Sequence, residues 1–236
     1  GGVFFSEYIE PTIAGNRAFE IYNATGTSID LSEYSVKQSH NGVGFDLDPD
    51  GADPYELVLS GTLIDGDVYV VHSDGTADAT LIAEGDLALT YGPAGGRNAS
   101  FTGDDALGLF KNGVLIDLIG DPNNRPSTGW DVAGISTATA NHTLVRKTSI
   151  TEGNTTALGS FGTDAANSEW IVKAIDDFSN IGSHFACAVP STQATAVTFG
   201  TTDETSMIIN WTQGNGTDAI VLVKEDAAVD MAPTLD

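Results

Sequence analysis

Short runs rich in Val, Ile, Tyr and Phe recur along this chain between clusters of Gly, Asn, Asp and Pro, while helical periodicity is hard to find. Strands joined by turns give that pattern, which predicts an all-β sandwich or barrel. The expected strands of a first domain lie at 3–9, 18–22, 35–38, 56–59, 68–72, 87–91, 106–111, 114–119 and 143–147. In GLFKNGVLIDLIG, Asn112-Gly113 separates two apolar runs and predicts a hairpin with a type I′ turn, whose central residues both need positive φ.

Two stretches, 120–142 and 148–167, shift to Asn, Thr, Ser, Gly and Pro and read as long loops, with Trp130 and Trp170 as large apolar residues to pin them. ACAVPSTQAT then marks a linker at 186–194, placing one domain at 1–185 and a second at 195–236. Within the second, 196–199, 207–212 and 219–224 read as strands around the turn QGNGTD.

With 41% hydrophobic residues in 236, the chain can fill a substantial core. Nine Lys+Arg against 33 Asp+Glu give a net charge of -24, which argues against nucleic acid as a direct ligand because such binding depends on basic groups displacing phosphate counterions. The same charge favours a solvated surface and attracts divalent cations without naming a site. The lone Cys187 cannot form an intrachain disulfide. No apolar run approaches the roughly 20 residues of a membrane helix, so no membrane insertion is expected. GGVFFSEY has neither the basic segment nor the apolar stretch of a signal peptide, so an exported protein would have lost its signal already.

FFSEYIE (4–10), FEIYNATGTSIDLSEYSV (19–36), GDVYVV (66–71), GDDALGLF (103–110) with NGVLIDLIGDP (112–122), HTLVRK (142–147), and EWIV with IGSH (169–184) together resemble the lamin-tail domain over about residues 1–185. The resemblance implies an immunoglobulin-like β-sandwich. It does not imply a nuclear filament, since sustained apolar heptads are missing. This version is similar to those of secreted and surface proteins of bacteria, especially Bacteroidetes, where the domain sits beside extracellular nucleases, phosphatases, peptidases and adhesive repeats as an accessory, binding or anchoring module. Residues 190–236 resemble the first half of a fibronectin type III-like domain, with Trp211 as its expected core tryptophan. Such a sandwich needs about 100 residues and roughly seven strands, so a partial second β-sandwich and a longer parent protein are expected.

Candidate chemistry centres on carboxylates. FDLDPDGADPY (45–55) places Asp46, Asp48, Asp50 and Asp53 around Gly51, and D-x-D-x-D-G is the first half of a calcium loop. The bidentate Glu of an EF-hand would fall on Leu57, with Glu56 one residue early, so the choice lies between a calcium loop outside a helical frame and a solvated turn. Strict alternation puts Glu7 on the face of Phe5 and Ile9, and Asp117 on the face of Leu115 and Ile119. If buried, each needs backbone N–H groups, a cation, or an arginine, for which Arg17 and Arg146 are the candidates. Pairing within the protein is the commoner outcome and a metal site the rarer one. Asp104 and Asp105 in TGDDAL suit a turn, with a calcium role as the alternative.

None of His40, His72, His142 and His184 forms a close metal pair, no G-x-S-x-G occurs, and GPAGGR (92–97) lacks the lysine of a phosphate loop. Six Asn-x-Ser/Thr sequons, at Asn23, Asn98, Asn141, Asn154, Asn210 and Asn215, fit a polar exported surface. Together with the lamin-tail resemblance, the absence of a catalytic constellation leads to an extracellular, non-catalytic module that contacts a protein or glycan at the cell surface, with calcium stabilisation as an option beside the default of a solvated acidic loop. Two alternatives stand beside it: an accessory domain of an exported nuclease or phosphatase, and a subunit that self-associates through exposed strand edges.

Overall fold

In the computed structural model, which describes residues 1–46, 55–90, 99–184, 195–203 and 206–212, the apolar runs pair into sheets. The chain divides into two compact units, Gly1–Ala186 and Cys187–Asp236. In the first, the strands are β1 (Val3–Glu10), β2 (Ala18–Asn23), β3 (Ile29–Asp30), β4 (Tyr34–Ser39), β5 (Tyr55–Val58), β6 (Thr62–Leu63), β7 (Val68–Ser73), β8 (Leu87–Leu89), β9 (Ala106–Lys111), β10 (Val114–Ile119), β11 (His142–Arg146) and β12 (Trp170–Lys173). They form a six-stranded sheet, β12-β11-β1-β2-β7-β8, a four-stranded sheet, β10-β9-β4-β5, and the short pair β3-β6. Pairing is antiparallel except between β7 and β8. That parallel pair needs a crossover, and the crossover carries one short helix, α1 (Ala79–Glu84). Asp78 starts α1 by accepting the N–H groups of Thr80 and Leu81.

Phe5, Tyr8, Phe19, Ile21 and Leu144 from the larger sheet pack in one core with Tyr34, Val36, Leu107, Leu109 and Ile119 from the smaller. Two inner faces meeting in this way make a sandwich. Trp130 and Trp170 both lie in the core, and Trp170 opens β12 instead of ending a loop. At the predicted hairpin, Asn112 and Gly113 have φ of 48° and 78°, as a type I′ turn requires.

The larger sheet is also covered on its outer face. There Phe4, Ile9, Ala18, Tyr22, Val68 and Val70 pack with Leu81 of α1 and with Ile181, and Phe178 adjoins them. Residues 174–184, which follow β12, thus lie across the sheet as a strap. Every residue of β1 and β2 is buried.

Two bulges change which residues share a face. On β1, Phe5 opposes Ile21 and Glu7 opposes Glu20, so Ser6 is an extra residue; on β10, Leu115 opposes Phe110 and Asp117 opposes Leu109, so Ile116 is extra. The alternation expected for Glu7 and Asp117 is corrected accordingly. Glu7 lies with Phe4 and Ile9 on the outer face, away from Phe5. Asp117 faces the core with Ile119 and turns away from Leu115, because an inserted residue reverses the pleat upstream of it.

In the second unit, β13 (Thr195–Thr202) and β14 (Met207–Thr212) pair antiparallel. Phe199, Ile208 and Trp211 are exposed on this hairpin, so Trp211 does not occupy the core position expected of it. The run 219–224 lies outside the described residues.

Candidate functional site

Asp117 is fully buried and faces the fully buried Arg146 at 3.3 Å. Its oxygens also accept the Phe5 N–H and the Asn154 N–H, both at 2.8 Å. Because β11 runs beside β1 only from Glu7 onward, Asp117 takes the Phe5 N–H where the ladder has ended. Arg146 Nη2 donates to Glu169 at 2.6 Å, and Asn154 Nδ2 donates to the other Glu169 oxygen at 2.7 Å. The guanidinium sits 4.6 Å from the Trp170 ring centre, adding a cation–π contact to the pair. At Gly153 a Cβ would collide with the Ile116 carbonyl and the Asp117 side chain, so only glycine lets the 148–169 loop approach this closely. Burial pushes the Asp117 carboxyl upward, against the opposing pull of Arg146 and the backbone N–H groups. The cluster ties both sheets and a loop together.

Asp105 has a fully buried side chain and accepts from Thr102 N–H at 2.8 Å, Asn41 N–H at 2.8 Å and Gln38 Nε2 at 3.1 Å, with His40 Nδ1 at 3.3 Å. Asp104 accepts from Thr102 Oγ1 and from Arg125 Nε, each at 2.6 Å. Burial acts to raise Asp104, but Thr102 and Arg125 outweigh it and hold the carboxyl below its ordinary value. Both aspartates organise the turn before β9. Among the described residues, no group of three or more His, Cys, Asp and Glu side chains is placed to hold a metal ion, and no helix is long and apolar enough to cross a membrane.

Of the acidic loop, Asp46 is exposed, and Asp48, Asp50 and Asp53 lie outside the described residues. Asp46 and Asn123 border a groove whose apolar walls are Val43, Phe45, Phe110 and Leu115. Phe45 meets Phe110 edge-on at 5.3 Å and lies over Gly108, where a Cβ would come within 2.7 Å of its ring. Lys37 Nζ stands 5.0 Å from the Phe110 ring centre.

Glu7 is the outlier. It is fully buried, neither carboxyl oxygen has a hydrogen-bond partner, and Glu20 opposes it on β2. Neither candidate arginine reaches it: Arg146 serves Asp117, and Arg17 pairs with Glu10 at 3.5 Å. Burial, reinforced by Glu20 and Asp177 and opposed by Lys173, pushes the Glu7 carboxyl up to about 9. Glu20 accepts from Ser6 Oγ at 2.6 Å and from the Gly182 N–H of the strap at 2.7 Å. Burial raises Glu20 to about 7, against those two donors. Nearby, His184 packs between the rings of Phe4 and Tyr22 at 5.7 and 4.8 Å, and burial with Arg146 lowers it to about 4. Glu20 and its tie to the strap escaped the sequence reading. The signal was in FEIYN, where Glu20 alternates with two core residues but shares its face with Ala18 and Tyr22.

A family model for the lamin tail domain matches residues 1–122, just over half the chain. The chain belongs to the lamin tail domain family. No curated protein and no solved structure matches it. In this lamin tail domain, Glu7, Glu20, Asp104, Asp105 and Asp117 fall within the matched residues, whereas Arg146, Glu169 and the strap follow them. β11 and β12 nevertheless extend the same sheet outward from β1. Asp117 and Asp104 therefore draw their arginines, and Glu20 its strap N–H, from the segment after the matched residues, whereas Asp105 is satisfied within them.

Proposed function

We propose that the chain is a non-catalytic attachment module of a larger exported bacterial protein and contacts a protein or glycan at the cell surface. The observation that carries this reading is the groove of Val43, Phe45, Phe110 and Leu115 with Asp46 and Asn123 at its border, an apolar floor beside a few polar groups as in recognition sites. In further support, Asp104, Asp105 and Asp117 are taken up by protein donors, and Glu7 is closed off from solvent. General acid–base chemistry needs such groups within reach of a substrate. Those same donors, and the closure over Glu7, argue against calcium at Glu7, Asp104, Asp105 or Asp117, so within this reading the D-x-D-x-D-G spacing of Asp46, Asp48, Asp50 and Asp53 is the remaining candidate for it.

An array of bacterial and host glycans, together with pull-down of cell-surface proteins, tests the reading. Binding is expected for the unaltered chain and is expected to be lost in Leu115→Asp, which puts a charge into the groove floor. Undiminished binding by that variant overturns the groove assignment, and turnover of phosphodiester, phosphomonoester or peptide substrates by the chain overturns the non-catalytic reading.

A further inference from the structure

The face shared by Glu7 and Glu20 is closed by a cover that differs from the rest of the sandwich. Its strap, residues 174–184, is held by the apolar contacts of Ile181 and Phe178, by the Gly182 N–H on Glu20, by Thr12 N–H on Asp176 at 3.0 Å, and by His184 between Phe4 and Tyr22. On either side of Glu7 lie paired strands, β2 and β11, and beneath the sheet lies the core. Water can reach this carboxyl only if the cover on the outer face moves.

We propose that residues 174–184 are a pH-released strap: ionisation of the buried Glu7–Glu20 pair lifts it from the outer face of the six-stranded sheet and uncovers Phe4, Ile9, Val68 and Val70.

The charges around the pair favour release once a proton is lost. From β2 there is Glu20; from α1, Glu84, against which a Cβ at Gly182 would collide; from the start of the β8 segment, Asp86, which accepts the Val70 N–H at 2.8 Å; and from the strap itself, Asp176 and Asp177. Lys173 on β12 opposes them, and Arg146 on β11, which lies behind Phe4, is already engaged with Asp117 and Glu169. An ionised Glu7 would add a negative charge without a donor to a face already rich in acids. Below its titration the neutral acid is tolerated, and the strap stays down. A carboxyl raised to about 9 by burial, next to one raised to about 7, places the start of release near neutral pH.

Hydrogen exchange on the whole 236-residue chain reads the strap directly, as protection factors corrected for intrinsic exchange at each pH. Between pH 7 and 9 the opening constant of 174–184 is expected to rise about tenfold per pH unit, the effect of one proton released on opening, while staying far above that of β9, whose core amides exchange only through global unfolding; strap protection equal to that of β9 would overturn the proposal. Glu7→Gln is expected to abolish that slope. Should the variant not fold, a carbon NMR titration of glutamate carboxyls in the unaltered chain decides instead: one carboxyl titrating near 9, with strap amide shifts following the same midpoint, supports the proposal. It is overturned by flat strap protection from pH 6 to 9.5, by the same slope in folded Glu7→Gln, or by the lack of any glutamate titrating above pH 6.

Discussion

Asp117 on β10 and Glu7 on β1 have much in common: each follows a bulge residue, each is fully buried, and each lies among apolar side chains. Their partners differ. Asp117 meets Arg146 and two backbone N–H groups, while Glu7 meets Glu20 and no donor. Burial penalises both charges, so the neighbours decide what each acid does. Beside an arginine and N–H donors, the acid serves as a structural tie; beside another acid, it is a source of pH sensitivity. The same residue class at the same kind of backbone feature thus supports rigidity in one layer and a releasable contact in another.

The largest expected effect comes from breaking the paired side. Arg146→Met leaves Asp117 and Glu169 without their cation and is expected to cost about 3–5 kcal/mol in urea unfolding, with part of that recovered in Asp117→Asn/Arg146→Met. A loss under about 1 kcal/mol would erase the contrast with Glu7.

On the unpaired side the sign reverses. Glu7→Gln is expected to stabilise the fold at pH 8 by roughly 2 kcal/mol, because the wild-type side chain must be held neutral there. The folded value of about 9 lies above the unfolded 4.5, so the contribution of Glu7 is complete below pH 4.5 and is lost as pH rises through about 9. Glu20 acts in the same sense but finishes near 7. His184, lowered from 6.5 to about 4, acts oppositely: its contribution is complete above 6.5 and is lost as pH falls through about 4. With two glutamates against one histidine, stability of the wild type should decline from about pH 4.5 to 9, most steeply between about 6.5 and 7, and denaturation across that range should show the slope above pH 7 vanishing in Glu7→Gln.

Smaller effects sharpen the picture. Gly153→Ala forces the loop away from Asp117 and is expected to cost about 1–2 kcal/mol by the same assay, as overpacking does. Calcium at millimolar concentration is expected to raise the melting temperature relative to chelator by a stabilisation of about 1 kcal/mol; the rise should be lost in Asp48→Asn/Asp50→Asn and kept in Asp104→Asn. Asp104→Asn itself should cost under about 1 kcal/mol, since Arg125 is half exposed.

Local chemistry made much of the scaffold readable. All nine apolar runs expected in the first domain correspond to strands β1, β2, β4, β5 and β7–β11, with ends that agree to within two residues, and the Asn112-Gly113 turn follows from two adjacent residues that tolerate positive φ. The segments not anticipated are short: β3 and β6 have two residues each, β12 four and α1 six, too few to display a period. Asp78 ahead of ATLIAE was the available sign of the helix, because an aspartate at that position caps free N–H groups. Asp104 and Asp105 were legible as turn residues because their bonds to Thr102 are local.

By itself, then, the amino-acid sequence determined the strands, the hairpin and the all-β class, since alternation and turn preference act between neighbours along the chain. Only the tertiary structure decided the fate of the buried acids. Asp117 finds Arg146 29 positions away, and Glu20 finds Gly182 162 positions away. Period-two reasoning supposes one face toward solvent, but the strap and α1 cover the second face of this sheet, and two bulges reset which side chains share it. Charge–charge energy depends on distance in space, and that distance is set by strand order and covering segments, which no local pattern in the chain encodes.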